Sequence, residues 1–405
     1  MRQDVILREG AVRGVAPKQS PVKALLQLGQ SPWLAHIKRS HLTGGELERM
    51  MTDWGLRGVT TSASMFEDAI ARTHDYDGDI AGLAREGLSA EGIYDSIVVR
   101  DVQHAADLLR PVFDAADGGD GLVTVDIAPR RAADAGETIA EAKRLWAMLR
   151  RPNVMICVPA TEEGITATRA LLAEGVNVGV TLLFSIGQYN GAMSAYLEGL
   201  EAAAAAGRDL ARISSVAAFF LSRIDTAVDG RLDALAAVGD RRGRIAGALR
   251  GQAGVATARR AYTAFEELTA SPRFRRLADR GAHPQRPMWT SIGSDDSSHG
   301  DTRYVEALIG AQTIASMPVE TLRAFHDHGR AARVDGRSDA DAAATLEQLG
   351  KVGVSLDQVA GDLLRTGLDQ SLRAFDSLIE ILEIARQSAL GPTEGSRRRR
   401  RRDGR

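Results

Sequence analysis

Six positions carry side chains that could do chemistry if the fold brings them together. Asp126 and Cys157 are the catalytic candidates; Ser62, Thr181 and Arg223 are the ligand-binding ones, with Ser294 or Asp295 as a further possibility. Each ends or closely follows a short apolar run. A carboxyl such as Asp126, held near water, can shuttle a proton, a service worth about 10²–10⁴ in rate. Arg223 can grip a phosphate with two parallel hydrogen bonds, or it can be spent on an ion pair with Asp225. Cys157 is either a thiolate that attacks or contacts a ligand, its pKa lowered by Arg223, or a small buried side chain with no reactivity. The second reading is the expected one. The hydroxyls of Ser62 and Thr181 suit a polyhydroxylated or phosphorylated ligand.

What would position them is an alternation of short strands and longer helices. Strands are expected at Trp33–Ile37, Gly58–Ser62, Leu122–Ile127, Val154–Pro159, Val176–Phe184, Ser214–Phe220 and Pro287–Ile292, with an eighth near Thr313–Met317. Between them run amphipathic stretches such as residues 135–150, 162–173 and 188–207. Such alternation means parallel strands joined by crossover helices. About eight strands in roughly 370 residues favour a closed (β/α)8 TIM-type barrel, an α/β fold, over an open doubly wound sheet. No G-x-G-x-x-G follows the first strand, so no dinucleotide cofactor is expected. Residues 84–118 are expected to form a helical insertion between strands two and three. Residues 321–388 look helical throughout and are expected to wrap the outside of the barrel. Residues 1–20 are expected to be a poorly ordered lead-in, 21–390 the single barrel domain, and 391–405 a disordered Arg-rich tail.

Composition narrows the function classes. Of 405 residues, 44% are hydrophobic and 26% charged, which fits a large globular core. No run of eighteen apolar residues occurs, so no membrane partner is expected. One cysteine allows no intrachain disulfide and points to the cytoplasm. A formal net charge of −2 gives no broad footprint for nucleic acid. The exception is Arg397–Arg402, where weak contact with RNA, DNA or an acidic partner is the alternative to simple disorder. His326-Asp327-His328 shows no convergent third ligand, so no metal site is expected.

Read in order, several blocks resemble the transaldolase family in its longer bacterial form: residues 29–37 (GQSPWLAHI), 57–70 (RGVTTSASMFEDAI), 151–165 (RPNVMICVPATEEGI), 175–189 (GVNVGVTLLFSIGQY), 215–229 (SVAAFFLSRIDTAVD) and 285–293 (QRPMWTSIG). The resemblance runs from about Pro21 to Ala385. It implies a barrel that moves a three-carbon dihydroxyacetone unit between sugar phosphates through a lysine Schiff base on strand four. The residues depart from that pattern where it matters most. The family's VMIKIPAT block reads VMICVPAT here, with Cys157 at the lysine's place. The strand-one aspartate matches Ala35, the strand-two asparagine Ser62, and the strand-three glutamate Asp126, one methylene shorter. The strand-five asparagine matches Gly179, while its threonine is kept as Thr181. The strand-six serine matches Ala218, and the phosphate-binding arginine is kept as Arg223. A second cation falls around Ser294-Asp295, where an aspartate would repel a phosphate.

A Schiff-base aldolase needs an amine whose iminium absorbs electrons when a carbon–carbon bond breaks. A thiol's hemithioacetal cannot do this. The chain has five lysines, Lys18, Lys23, Lys38, Lys143 and Lys351, and only Lys38, just past strand one, is expected near the active end. His36 is a possible replacement base, although strand alternation would turn it outward. The expected function is therefore a diverged barrel that binds or acts on a sugar, a sugar phosphate or another small polar metabolite without an iminium. A non-catalytic metabolite- or partner-binding protein and a working transaldolase are the alternatives.

Overall fold

The computed structural model describes residues 20–293, 300–333 and 338–391. Both Ser294-Asp295 and the Arg397–Arg402 tail lie outside them, as does nearly all of the expected lead-in. Eight parallel strands close into a barrel in sequence order: β1 Gln30–Leu34, β2 Gly58–Thr60, β3 Leu122–Asp126, β4 Val154–Pro159, β5 Val178–Leu183, β6 Ser215–Phe220, β7 Arg286–Thr290 and β8 Thr313–Met317. The barrel closes where β1 pairs with β8, with Trp33 opposite Ser316.

The alternation of each strand splits the core in two. Outward residues such as Leu34, Val59, Val123, Val125 and Ile156 pack under the helices. Inward residues fill the barrel itself: Trp33, Leu122, Met155, Val216, Ala218, Met288 and Ile314. Trp33 is fully buried there, its indole N–H donating to Asp120 at 3.1 Å. Gly58 makes room for it, because a Cβ on residue 58 would lie 2.4 Å from two ring carbons of Trp33. Gly58→Ala should therefore destabilise the fold by about 1–3 kcal/mol through overpacking. Urea unfolding would measure the loss, and it should shrink when Trp33→Leu is added.

The first strand starts three residues earlier than its apolar pattern suggests. Gln30 and Ser31 look unlike strand residues, yet both are buried and both side chains donate hydrogen bonds. Gln30 donates to the Leu308 carbonyl at 2.7 Å, and Ser31 donates to Asp120 at 2.5 Å. The strand also ends early, at Leu34.

Between β2 and β3 stand three helices, Ala63–Arg72, Asp77–Arg85 and Ala90–Ala115, so the expected insertion is helical. The C-terminal helix Leu356–Leu390 does more than wrap the outside. It packs on the helix after β6, touches β5, and continues to the helices that follow β2. It therefore spans the end of the barrel where the strands finish. Ion pairs fasten it at Arg231–Asp362 and Arg130–Asp376, both 2.7 Å. At its middle, Gly367 lets the backbone approach Leu182, to which a Cβ would come within 3.1 Å. An amphipathic pattern identifies the buried face of such a helix but not which surface receives it.

Candidate active site

The strand ends hand over to helices through hydroxyl caps. Ser62, Thr161 and Ser185 accept from the backbone N–H three residues on, at 3.3, 3.0 and 3.2 Å. These caps fix the loops around the barrel mouth, and Ser62 is thus a structural residue as well as a rim residue.

On one side of the mouth, β3 and β4 set Asp126 directly opposite Cys157 in the ladder. The next ladder partner is Gly179 on β5. A Cβ at 179 would lie 2.7 Å from the Cys157 sulfur, so the thiol occupies the space that glycine vacates. Cys157 is buried, and burial raises its pKa well above the usual thiol value. The Asp126 charge raises it further, and a hydrogen bond from Thr124 opposes the shift. Arg223 is not among the charges acting on it, so the activated-thiolate reading finds no support. At neutral pH the sulfur is a neutral thiol. The Asp126 carboxyl has no hydrogen-bond or ion-pair partner among the described residues. Desolvation alone pushes its pKa up to about 7. A carboxyl poised there can give or take a proton under physiological conditions.

Arg223 lies across the mouth, just past β6. Asp225 is not its partner. That carboxylate is buried and accepts from the Gly254 N–H at 2.8 Å and the Tyr304 hydroxyl at 2.7 Å. Arg223 instead donates to Gln370 of the C-terminal helix at 3.3 Å and stands 5.3 Å from the Phe220 ring centroid. Among the described residues no carboxylate pairs with it. Burial alone lowers its pKa, so the guanidinium is partly desolvated and uncompensated. An anion would relieve that cost.

His36 departs from its expected outward orientation. Its backbone is left-handed, with φ 63°, and this breaks the strand's alternation directly after Ala35. The ring lies against Ser62, with Nδ1 3.4 Å from Oγ. Packing around the ring lowers its pKa, and the positive charges of Arg223 and Lys38 act in the same direction against Glu320. Leu182 at the end of β5 and Ser291 after β7 leave their strands with the same handedness, at φ 60° and 51°. Non-glycine residues adopt this conformation at a cost of order 1–3 kcal/mol and concentrate at functional sites. Nothing in the residue types of His36 or Leu182 signals it.

The mouth thus assembles two groups: Asp126 and Cys157 on β3 and β4, and His36, Ser62 and Arg223 beyond β1, β2 and β6. Thr181 is half-buried near the end of β5. The lysines are placed as follows. Lys23 packs beside Gly55 at the opposite end of the barrel, Lys143 pairs with Glu174, and Lys351 pairs with Glu347. Lys38 is exposed at the rim near His36, and Lys18 lies outside the described residues. His326 stacks on Trp54 at 4.6 Å while His328 pairs with Asp301 at 3.0 Å, so these two histidines do not converge. No described helix is long and apolar enough to cross a membrane.

Residues 33–382 match the family model described as transaldolase/fructose-6-phosphate aldolase. The chain is 43% identical to a transaldolase of Thermobifida fusca over 91% of its own length and 99% of the relative's. It is 41% identical to a transaldolase of Saccharopolyspora erythraea, covering 89% and 96% of the two chains. With a transaldolase of Thiobacillus denitrificans the identity is 42%, over 88% and 98%.

Proposed function

Because the chain belongs to the transaldolase/fructose-6-phosphate aldolase family, we propose that its barrel mouth binds a phosphorylated sugar through Arg223 and handles it without an iminium. The observation that carries the first half is the state of Arg223. A half-buried guanidinium with no carboxylate partner among the described residues, facing a mouth rimmed by hydroxyls, is a site for a singly attached phosphate. The second half rests on β4, where the strand ends in a neutral, buried thiol beside a carboxyl poised near neutrality. This pair suits proton transfer and supplies no electron sink. A cytoplasmic setting fits such a ligand.

Transfer of a dihydroxyacetone unit is the second reading, and the comparisons favour it over both a diverged chemistry and loss of activity. Relatives spanning nearly the whole chain are named transaldolases. Both readings require sugar-phosphate binding, so that is tested first. Fructose 6-phosphate at 100 times its Kd should stabilise the protein by about 2.7 kcal/mol in a thermal-shift assay. Arg223→Ala should weaken binding about 10- to 100-fold, the effect of losing one charged hydrogen-bonding group. Fructose lacking the phosphate should lose the same amount on the unaltered protein. Equal affinity for fructose and fructose 6-phosphate would defeat the assignment of Arg223.

A further inference from the structure

We infer that His36, turned into the barrel mouth by its left-handed backbone and braced by Ser62, is an acid–base residue of this site. The inference rests on the sugar-phosphate reading above.

Strand β1 is followed by Ala35. That residue is buried where β1 reaches the mouth, and a methyl group cannot carry a proton. Continued alternation would have sent residue 36 out under the helices, as it does Leu34. The φ of 63° at His36 reverses this and places an imidazole beside the very position that lacks a functional group. A left-handed histidine persists only where its surroundings hold it there. Ser62 Oγ at 3.4 Å from Nδ1 is one such restraint, and the Ser62 hydroxyl is itself fixed by the Met65 N–H and by Ser64 at 3.0 Å. If Nδ1 accepts from Ser62, Nε2 carries the proton; if it donates, Nε2 is the free base. His36 is exposed at the rim, so the ring is within reach of a ligand entering there.

The charged groups acting on the ring are Arg223, Lys38 and Glu320. Partial desolvation and Arg223 lower its pKa, which favours the neutral form that accepts a proton. The step is a simple one. A hydrogen on a carbon beside the ligand's carbonyl leaves as a proton to the ring nitrogen, its electron pair stays on the ligand as an enolate, and the imidazolium returns a proton to the ligand or to water. A phosphate seated on Arg223 cancels the charge that depresses the ring. Ligand binding therefore raises the proton affinity of His36 when a base is needed. Ser62 is a positioning residue in this scheme.

The test uses the full chain and fructose 6-phosphate in D2O, following exchange of the C1 and C3 hydrogens by proton NMR while thermal shift records binding. His36→Asn is the chosen variant, because asparagine tolerates the left-handed backbone but is no base. Exchange should fall at least 100-fold with binding retained. In the unaltered protein, exchange should rise with pH as His36 loses its proton below the usual imidazole range, and again through about pH 7 as Asp126 ionises. Ser62→Ala should move the lower inflection while leaving the upper one. Binding without exchange in the unaltered protein, or exchange that survives His36→Asn, overturns the assignment of His36 alone. Absence of binding by the unaltered protein overturns the sugar-phosphate reading and this inference with it. A direct check is the NMR titration of the His36 ring, identified by its loss in His36→Asn. Its midpoint should lie below that of an ordinary histidine and move up on adding inorganic phosphate; a midpoint indifferent to phosphate counts against the inference.

Discussion

Borohydride added to the protein with fructose 6-phosphate should leave the intact mass unchanged, because no amine meets the carbonyl. In a Schiff-base enzyme the same treatment fixes the sugar to the chain as a stable secondary amine. Here the end of β4 presents the Cys157 thiol, wedged against the space over Gly179 and held neutral by burial. A hemithioacetal formed there would revert, and borohydride cannot convert it into a lasting adduct. The described lysines away from the mouth are ion-paired or packed at the opposite end. Lys38 is the remaining candidate, and it is exposed to solvent at the rim. Peptide mapping of any adduct would identify it. A stable adduct, on Lys38 or elsewhere, would restore dihydroxyacetone transfer as the leading function.

The companion variant is Cys157→Lys. Its amine would enter a buried pocket, which lowers a lysine's pKa and favours attack. An adduct should therefore appear under borohydride. Exchange of dihydroxyacetone units should nevertheless stay at least about 100-fold below that of an intact site. Ala35 supplies no proton, and the His36 ring beside it approaches from a different backbone position, so the contribution of a well-placed acid–base group, about 10²–10⁴, is recovered only in part. Gly179 also leaves the new amine without a neighbouring side chain on β5. Full activity from the single change would show that His36 and Asp126 replace the missing strand-one carboxylate completely, and that Gly179 costs nothing.

The barrel was legible in the sequence because hydrophobic alternation reports which faces are buried, and eight apolar runs separated by helical stretches leave few ways to close. Strand β4 was found to the residue, since every side chain in Val154–Pro159 is apolar or small. Strand β1 was not, because the Gln30 amide N–H and the Ser31 hydroxyl donate to groups from residues near 310 and 120, far along the chain. The same limit applies at the mouth. Cys157 and Asp126 could be placed from strand ends alone. The freedom of Arg223 depended on Asp225 being engaged by Gly254 and Tyr304, and the orientation of His36 depended on one backbone angle. Neither is encoded in local periodicity. The C-terminal helix was recognised as helical, but its seat across the mouth is set by Gly367, Asp362 and Asp376 meeting partners on β5, on the helix after β6 and on the turn after β3.

The turn that carries His36 is itself anchored three residues on. Arg39 donates from Nε and Nη2 to Asp101 at 2.9 and 2.6 Å, also meets Asp79, and lies 4.2 Å over the Tyr76 ring. Tyr76 completes the group by donating to the other Asp101 oxygen at 2.9 Å. Asp101 is only 5% exposed, so Arg39→Ala strands a buried carboxylate. The expected loss is about 3–5 kcal/mol, far beyond a surface ion pair. Protonating Asp101 would remove the stranded charge. The penalty should therefore be largest at high pH and shrink as pH falls through the raised pKa of Asp101 in the variant. Urea unfolding at pH 8 and pH 5.5 measures both the loss and its sign. Asp101→Asn should cost less than Arg39→Ala at pH 8, since Arg39 keeps Asp79. Because Arg39 pins the residues that follow β1, its loss should also broaden the His36 ring signals at denaturant concentrations where the barrel is still folded. A stability loss that left those signals sharp would mean that Ser62 and the strand end alone suffice to hold His36 in place.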